Sequence, residues 1–288
     1  MRLVSGAYYH PRERQERPKW YSCAVKLLEG IPMNRVRLAV IAAGAMLALA
    51  AVPTPASADH AWGSYHWART ANPLTLQLGN STSGAWATSP TGPSYLALTS
   101  TEWSASSVLD TTVVAGTGKR RCGAVAGRVE VCNASYGFNG WLGVATISLS
   151  GSHITAATVK LNDSYFSYAP YSGANWRESV MCQEVGHTFG LSHPSEDPAV
   201  DTDSCMDYYQ VPNLDPNAHD YEQLGSIYAH LDTSLPSSGG KPGKGNGRRG
   251  LQKVSESLWV EDLGGAEKRL VWVTWTHPNA NHGPPAGV

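Results

Sequence analysis

Between residues 181 and 193 the chain reads MCQEVGHTFGLSH, and side chains able to do chemistry recur there at fixed intervals. His187 lies four residues after Gln183, so on a helix the two project from one face and can share a metal ion. Glu184 stands about 100° round the helix from Gln183, where its carboxylate reaches a water in the same site as a general base. Gly190 allows a sharp reversal, after which His193 returns as a further nitrogen donor. Metal-assisted hydrolysis needs three protein ligands, an open position and a nearby carboxylate. Neutral imidazole is a good zinc ligand, whereas the amide oxygen of Gln183 is harder and weaker.

Such a site needs a helix to carry it. The pattern predicts one over NWRESVMCQEVGHTFG, with Asn175 as cap, Glu178 reaching back as in a capping box, and Gly190 as the stop. A second helix is expected over 220–232, with Leu224, Ile227, Tyr228 and Leu231 on one face. PLTLQLG (73–79) alternates as a strand does, and GRVEVCNA, WLGVATISLSG and ITAATVKLND read as further strands. WSASSVLDTTVVAG reads as a short helix or another strand. Residues 59–234 thus form the expected domain, and 235–250 a Gly/Pro/basic linker with nothing to bury. Residues 251–288 are a short tail that could close a hairpin around Gly264-Gly265. Its Trp259, Trp272 and Trp275 read as a packed hairpin or as a carbohydrate- or surface-binding patch.

From Met33 the chain runs through Arg35 and Arg37 into an apolar segment ending at Val52, then Ala56-Ser57-Ala58. This is the plan of a signal peptide, 33–58, cleaved before Asp59, and it implies a secreted, extracellular protein with no membrane partner afterwards. Residues 1–32 read as an upstream mis-start. A net charge of -1 gives no electrostatic reason for a nucleic-acid partner. Three Phe against 10 Trp, 13 Tyr, 29 Gly and 18 Pro mark a turn-rich, β-leaning chain. Cys122, Cys132, Cys182 and Cys205 follow the signal peptide, and export favours their pairing, in one of three ways. Cys122 with Cys132 would close the hairpin-like CGAVAGRVEVC. Glu196, Asp197, Asp201 and Asp203 offer oxygen donors for calcium, although such a run is more often a solvated loop. His60, His66, His153, His219 and His230 read as surface or hydrogen-bonding histidines.

The string Q-E-x-x-H-x-x-G-x-x-H, followed by DSCMDYY at 203–209, resembles the metzincin zinc metalloproteases, of the matrixin-like secreted kind, with Gln183 where the family has its first histidine. The resemblance covers roughly 59–232. It implies an α+β zincin-like domain: a twisted mixed sheet with ITAATVKLND beside the cleft, an active-site helix, and Met206 in a turn beneath the metal. It implies one catalytic zinc held by Gln183, His187 and His193, Glu184 as general base, and Tyr208 approaching the metal. It also brings Cys182 to Cys205, since each precedes a key residue. The implied function is a monomeric zinc endopeptidase acting on proteins or peptides. Two further readings stay open at Gln183: a histidine from elsewhere replaces it, or the metal is lost and the fold serves as a secreted binding protein. The Arg121-Cys122-Gly123 triplet resembles the inhibitory cysteine segment of matrixin propeptides, but it lies inside the domain and suits a disulfide better.

Overall fold

Strand β2 (Leu74–Ser81) shows how the sheet is made: Leu76 and Leu78 are buried while Thr75 and Gln77 face solvent. Strands β3 (Leu109–Ala115), β4 (Val129–Ala134) and β6 (His153–Asn162) lie parallel to it in the order β3-β2-β4-β6. β5 (Trp141–Ser150) runs antiparallel to β6, and the short β1 (His66–Trp67) pairs with the start of β6. β5 is apolar almost throughout its first half because both its faces are covered. This computed structural model describes residues 60–118, 121–208, 211–233, 250–277 and 282–286. The expected upstream extension and signal peptide, and nearly all of the expected linker, lie outside the described residues.

The tail does not stand apart. β9 (Glu267–Trp275) pairs antiparallel along the whole of β5, from Trp141 opposite Trp275 to Ser150 opposite Glu267. β8 (Leu258–Gly264) folds back on it through Gly264 and Gly265, and β7 (Gln252–Lys253) adds the rim. The described residues therefore form one nine-stranded, twisted mixed sheet with few helices. Two expectations change. Trp259, Trp272 and Trp275 are buried against β5, so they are no surface-binding patch. β6 lies inside the sheet, and the strand bordering the site is β5.

Helix α1 (Tyr95–Trp103), capped by the Ser94 hydroxyl, carries Trp103 under the site; the sequence reading had no helix starting at Tyr95. After the one-turn α2 (Asp163–Phe166) comes α3 (Ala174–His187), which holds the chemistry. Its cap is Gly173 in extended conformation, not Asn175, which falls within the first turn. α4 (Ala218–Ile227) starts earlier than expected because Asn217 and Asp220 make the capping box. It ends before Leu231, which is exposed. Cys122 is bonded to Cys132 and Cys182 to Cys205. The second disulfide ties α3 to the turn bearing Met206, and closing a loop of that span stabilises by about 3 kcal/mol.

Between α1 and α3, burial together with nearby Asp215 pushes the Glu102 carboxyl up to about 8 from 4.5. Between those values the folded chain keeps a proton that the unfolded chain has released, so stability falls as pH rises through this window. Glu102→Gln is expected to remove that slope. Discounted for partial exposure, the gain at pH 8 is about 1–2 kcal/mol over the parent, with little difference near pH 4. Thermal unfolding of both proteins at pH 4, 6 and 8 checks this, and a constant gap would refute it.

Candidate metal and catalytic site

The last two turns of α3 are buried because they run under β5 and β9, so Gln183, Glu184 and His187 all face the sheet. Beyond His187 the helix ends on Thr188, and the chain reverses at Gly190. Its φ of +99° suits glycine alone, and a side chain there would meet the Tyr65 carbonyl at 2.5 Å. The reversal returns His193 so that its Nε2 lies 3.1 Å from Nε2 of His187. Two ligands on one tetrahedral zinc ion, with bonds near 2.0 Å, stand about 3.3 Å apart.

Both rings are oriented for that role from behind. Nδ1 of His187 is 2.9 Å from the Leu191 carbonyl, which only accepts, so the proton sits there and Nε2 keeps its lone pair. Burial and then neighbouring His193 hold His187 well below the usual histidine range, in the neutral form that metals bind. Nδ1 of His193 meets Ser257 Oγ at 3.2 Å and Glu196 Oε1 at 3.3 Å. Glu196 is thus taken up by His193, Ser255 and Ser257. Against its burial, these bonds keep it below the ordinary carboxylate value. Asp201 accepts from the Asp203 amide and from Asn213, and among the described residues Glu196, Asp197, Asp201 and Asp203 do not converge as a group of three or more carboxylates.

Gln183 donates its amide Nε2 to the Asp207 carbonyl, in the turn that carries Met206. Its Oε1 accepts from the Thr274 hydroxyl. The same hydroxyl lies 2.6 Å from Glu184 Oε1, while Glu184 Oε2 has no hydrogen-bond partner. Burial, only partly opposed by Thr274, raises the Glu184 carboxyl to about 8 from 4.5, so at neutral pH it holds its proton here. Room for it against the sheet depends on Gly143, where a side chain would meet Glu184 Oε1 at 2.5 Å. Met206 is fully buried beneath the helix, and Tyr208 packs its ring 5.1 Å from His193. A cavity of about 300 Å³ opens beside Gln183, between Tyr171, Trp176, Tyr208 and Trp275.

The two imidazoles and the orphaned Glu184 oxygen fit a divalent ion; the glutamine oxygen fits less well, being engaged by Thr274. Gln183→His, which puts a nitrogen donor in its place, is therefore expected to tighten zinc binding at least about tenfold. Competition against a chromophoric chelator measures this, and unchanged affinity would show that position 183 does not face the metal. The residues that sequence reasoning missed come from the tail. Thr274 bonds both Gln183 and Glu184, Ser257 holds His193, and Trp272 stacks on His187 with ring planes 10° apart. No local pattern marks them, because their position depends on β9 pairing with β5.

No protein-family profile matches the chain. No curated protein matches it in sequence. Among solved structures it is similar to that of myroilysin, at 13% identity and a TM-score of 0.35, over 59% of this chain and 98% of that one. A superposition this loose carries no argument about the site.

Proposed function

We propose that the protein is a secreted metal-dependent endopeptidase of metzincin-like design, kept latent by its own C-terminal strand. The observation that carries this reading is the pairing of His187 and His193 through Nε2 at 3.1 Å, with the buried Glu184 carboxyl one helical turn before His187. His187, His193 and, once Thr274 leaves, Gln183 are the residues that would hold zinc. When bound there, the ion would supply Lewis acidity to a scissile carbonyl and to water. Glu184 takes the proton of the attacking water and delivers it to the leaving amine. Tyr208, whose ring lies beside that of His193, would donate to the developing oxyanion. An extended peptide would lie along β5, using the backbone groups that β9 now occupies.

That occupation supports latency. With Thr274 on Gln183 and Glu184, and Trp272 over His187, water has no path to the base, and the base is uncharged. The two disulfides, and the absence of any helix long and apolar enough to cross a membrane among the described residues, suit an exported protein. The test is cleavage of a diverse peptide library by the protein freed of its tail, read by mass spectrometry, before and after chelation. Cleavage that a chelator stops and zinc restores is the expected result. No cleavage with zinc supplied would leave the alternative, a catalytically silent binding protein on the same fold.

A further inference from the structure

At the far end of β6 from the site, three histidines and an aspartate meet. Nε2 of His66 lies 3.2 Å from Nε2 of His230 and 3.5 Å from Oδ1 of Asp232. His230 Nε2 is 3.6 Å from the same oxygen. These three separations are close to the edge of about 3.3 Å that zinc imposes on tetrahedral ligands with bonds near 2.0 Å. On the other side of Asp232 Oδ1, at 3.0 Å, stands His153 Nε2.

The protons show why a cation belongs there. His66 Nδ1 is 2.7 Å from the Ser64 carbonyl, which cannot donate, so the ring proton is on Nδ1. His66 thus turns Nε2 toward a carboxylate oxygen, in a place where the His66 side chain is 6% exposed and that of Asp232 12%. A ring nitrogen and a carboxylate oxygen brought this close in a buried position need positive charge between them, and a metal ion supplies it. The surroundings are those of ligands held from behind. Asp232 Oδ2 accepts from the Arg69 amide at 2.7 Å, and the Asp232 amide donates to the Arg69 carbonyl at 2.7 Å. His153 donates to the ligating oxygen.

We propose that His66, His230 and Asp232 form a second metal site, separate from His187 and His193, of the nitrogen-rich kind that takes zinc, with His153 orienting Asp232. It joins β1, at the start of the domain, to the segment after α4, so its effect is to clamp the two ends of the domain together. Asp232 stands just before the linker to the covering hairpin.

The test counts zinc per chain by elemental analysis after stripping with a chelator, reloading and dialysis. The purified protein is compared with His230→Gln, whose ring is half exposed, so that the fold should tolerate the change, and with the double variant His187→Gln/His193→Gln. His230→Gln is expected to hold one equivalent fewer than the parent and to lose the rise in melting temperature that zinc gives. The double variant is expected to keep that equivalent, and with cobalt to show the visible absorption of a tetrahedral nitrogen–oxygen site. Equal zinc in His230→Gln and the parent would overturn the proposal, leaving a hydrogen-bonded cluster that holds no metal. If the parent and the double variant both hold one equivalent and His230→Gln none, this site stands and the catalytic metal reading fails.

Discussion

Cutting the chain inside the linker, between residues 239 and 249, and diluting it to about 1 μM should raise peptide cleavage by up to about 10³-fold. While tethered, the hairpin meets β5 at an effective concentration on the order of millimolar. Severed, it meets β5 only at its bulk concentration, about a thousandfold lower, so the uncovered fraction can grow by that ratio. The gain approaches that factor when the free hairpin binds with a Kd near about 1 μM, and falls to about tenfold at about 100 μM, because a hairpin that weak already leaves β5 uncovered about a tenth of the time while tethered. A short two-stranded segment must order itself to bind, which sets the gain below the upper limit. A specific protease site placed within the linker makes the cut without touching the sheet. A second variant reaches the same state uncut: Thr274→Glu forces a longer carboxylate into the closely packed, buried place where the Thr274 hydroxyl meets Gln183 and Glu184. Confirmed cutting and Thr274→Glu that both leave activity at background would show that β9 does not control the site.

In the freed protein, Glu184→Gln should lower kcat/KM by about 10²- to 10⁴-fold, the range by which positioned general bases act. The loss should fall on kcat, because glutamine keeps the shape and the acceptor for Thr274 and removes only the capacity to take a proton. Folding should survive, since one oxygen of this carboxyl has no partner even in the parent. A change confined to KM would make Glu184 a binding residue. Equal rates in the two proteins would assign any cleavage to a contaminant.

Some of this was legible from residue order alone. Gln183 and His187 project from one side of their helix because positions four apart fall on one face, and that needs no tertiary information; that this side meets the sheet is decided by the packing of α3 under β5 and β9. Gly190 is where the helix must give way, and the structure places it at φ +99°. The strands β2, β4, β5 and β6 were visible in their alternation or apolar runs. Helix α1 was missed, since YLALTSTEW mixes small and β-branched residues without a clean apolar stripe, and its packing against β3 and α3 makes it a helix. Asn175 as cap was a local reading overridden by Gly173, which takes the extended conformation that an entry into the first turn requires.

By itself, the order of residues determined which side chains could act on a metal, at what spacing, and that four cysteines beyond residue 58 were available to pair. Those are short-range properties of a helix and of composition. Only the tertiary structure decided that the site is covered. The tail's tryptophans could have packed on one another, and only an unpaired β5 edge of matching length gave them a larger apolar surface to bury. Likewise only the fold brings His66 to His230 and Asp232, residues more than 160 positions apart, because β1 pairs with β6 while the segment after α4 is bonded to Arg69 just beyond β1. Long-range contacts of this kind leave no periodic trace in the chain, since they depend on which surfaces remain to be buried once the local elements have formed.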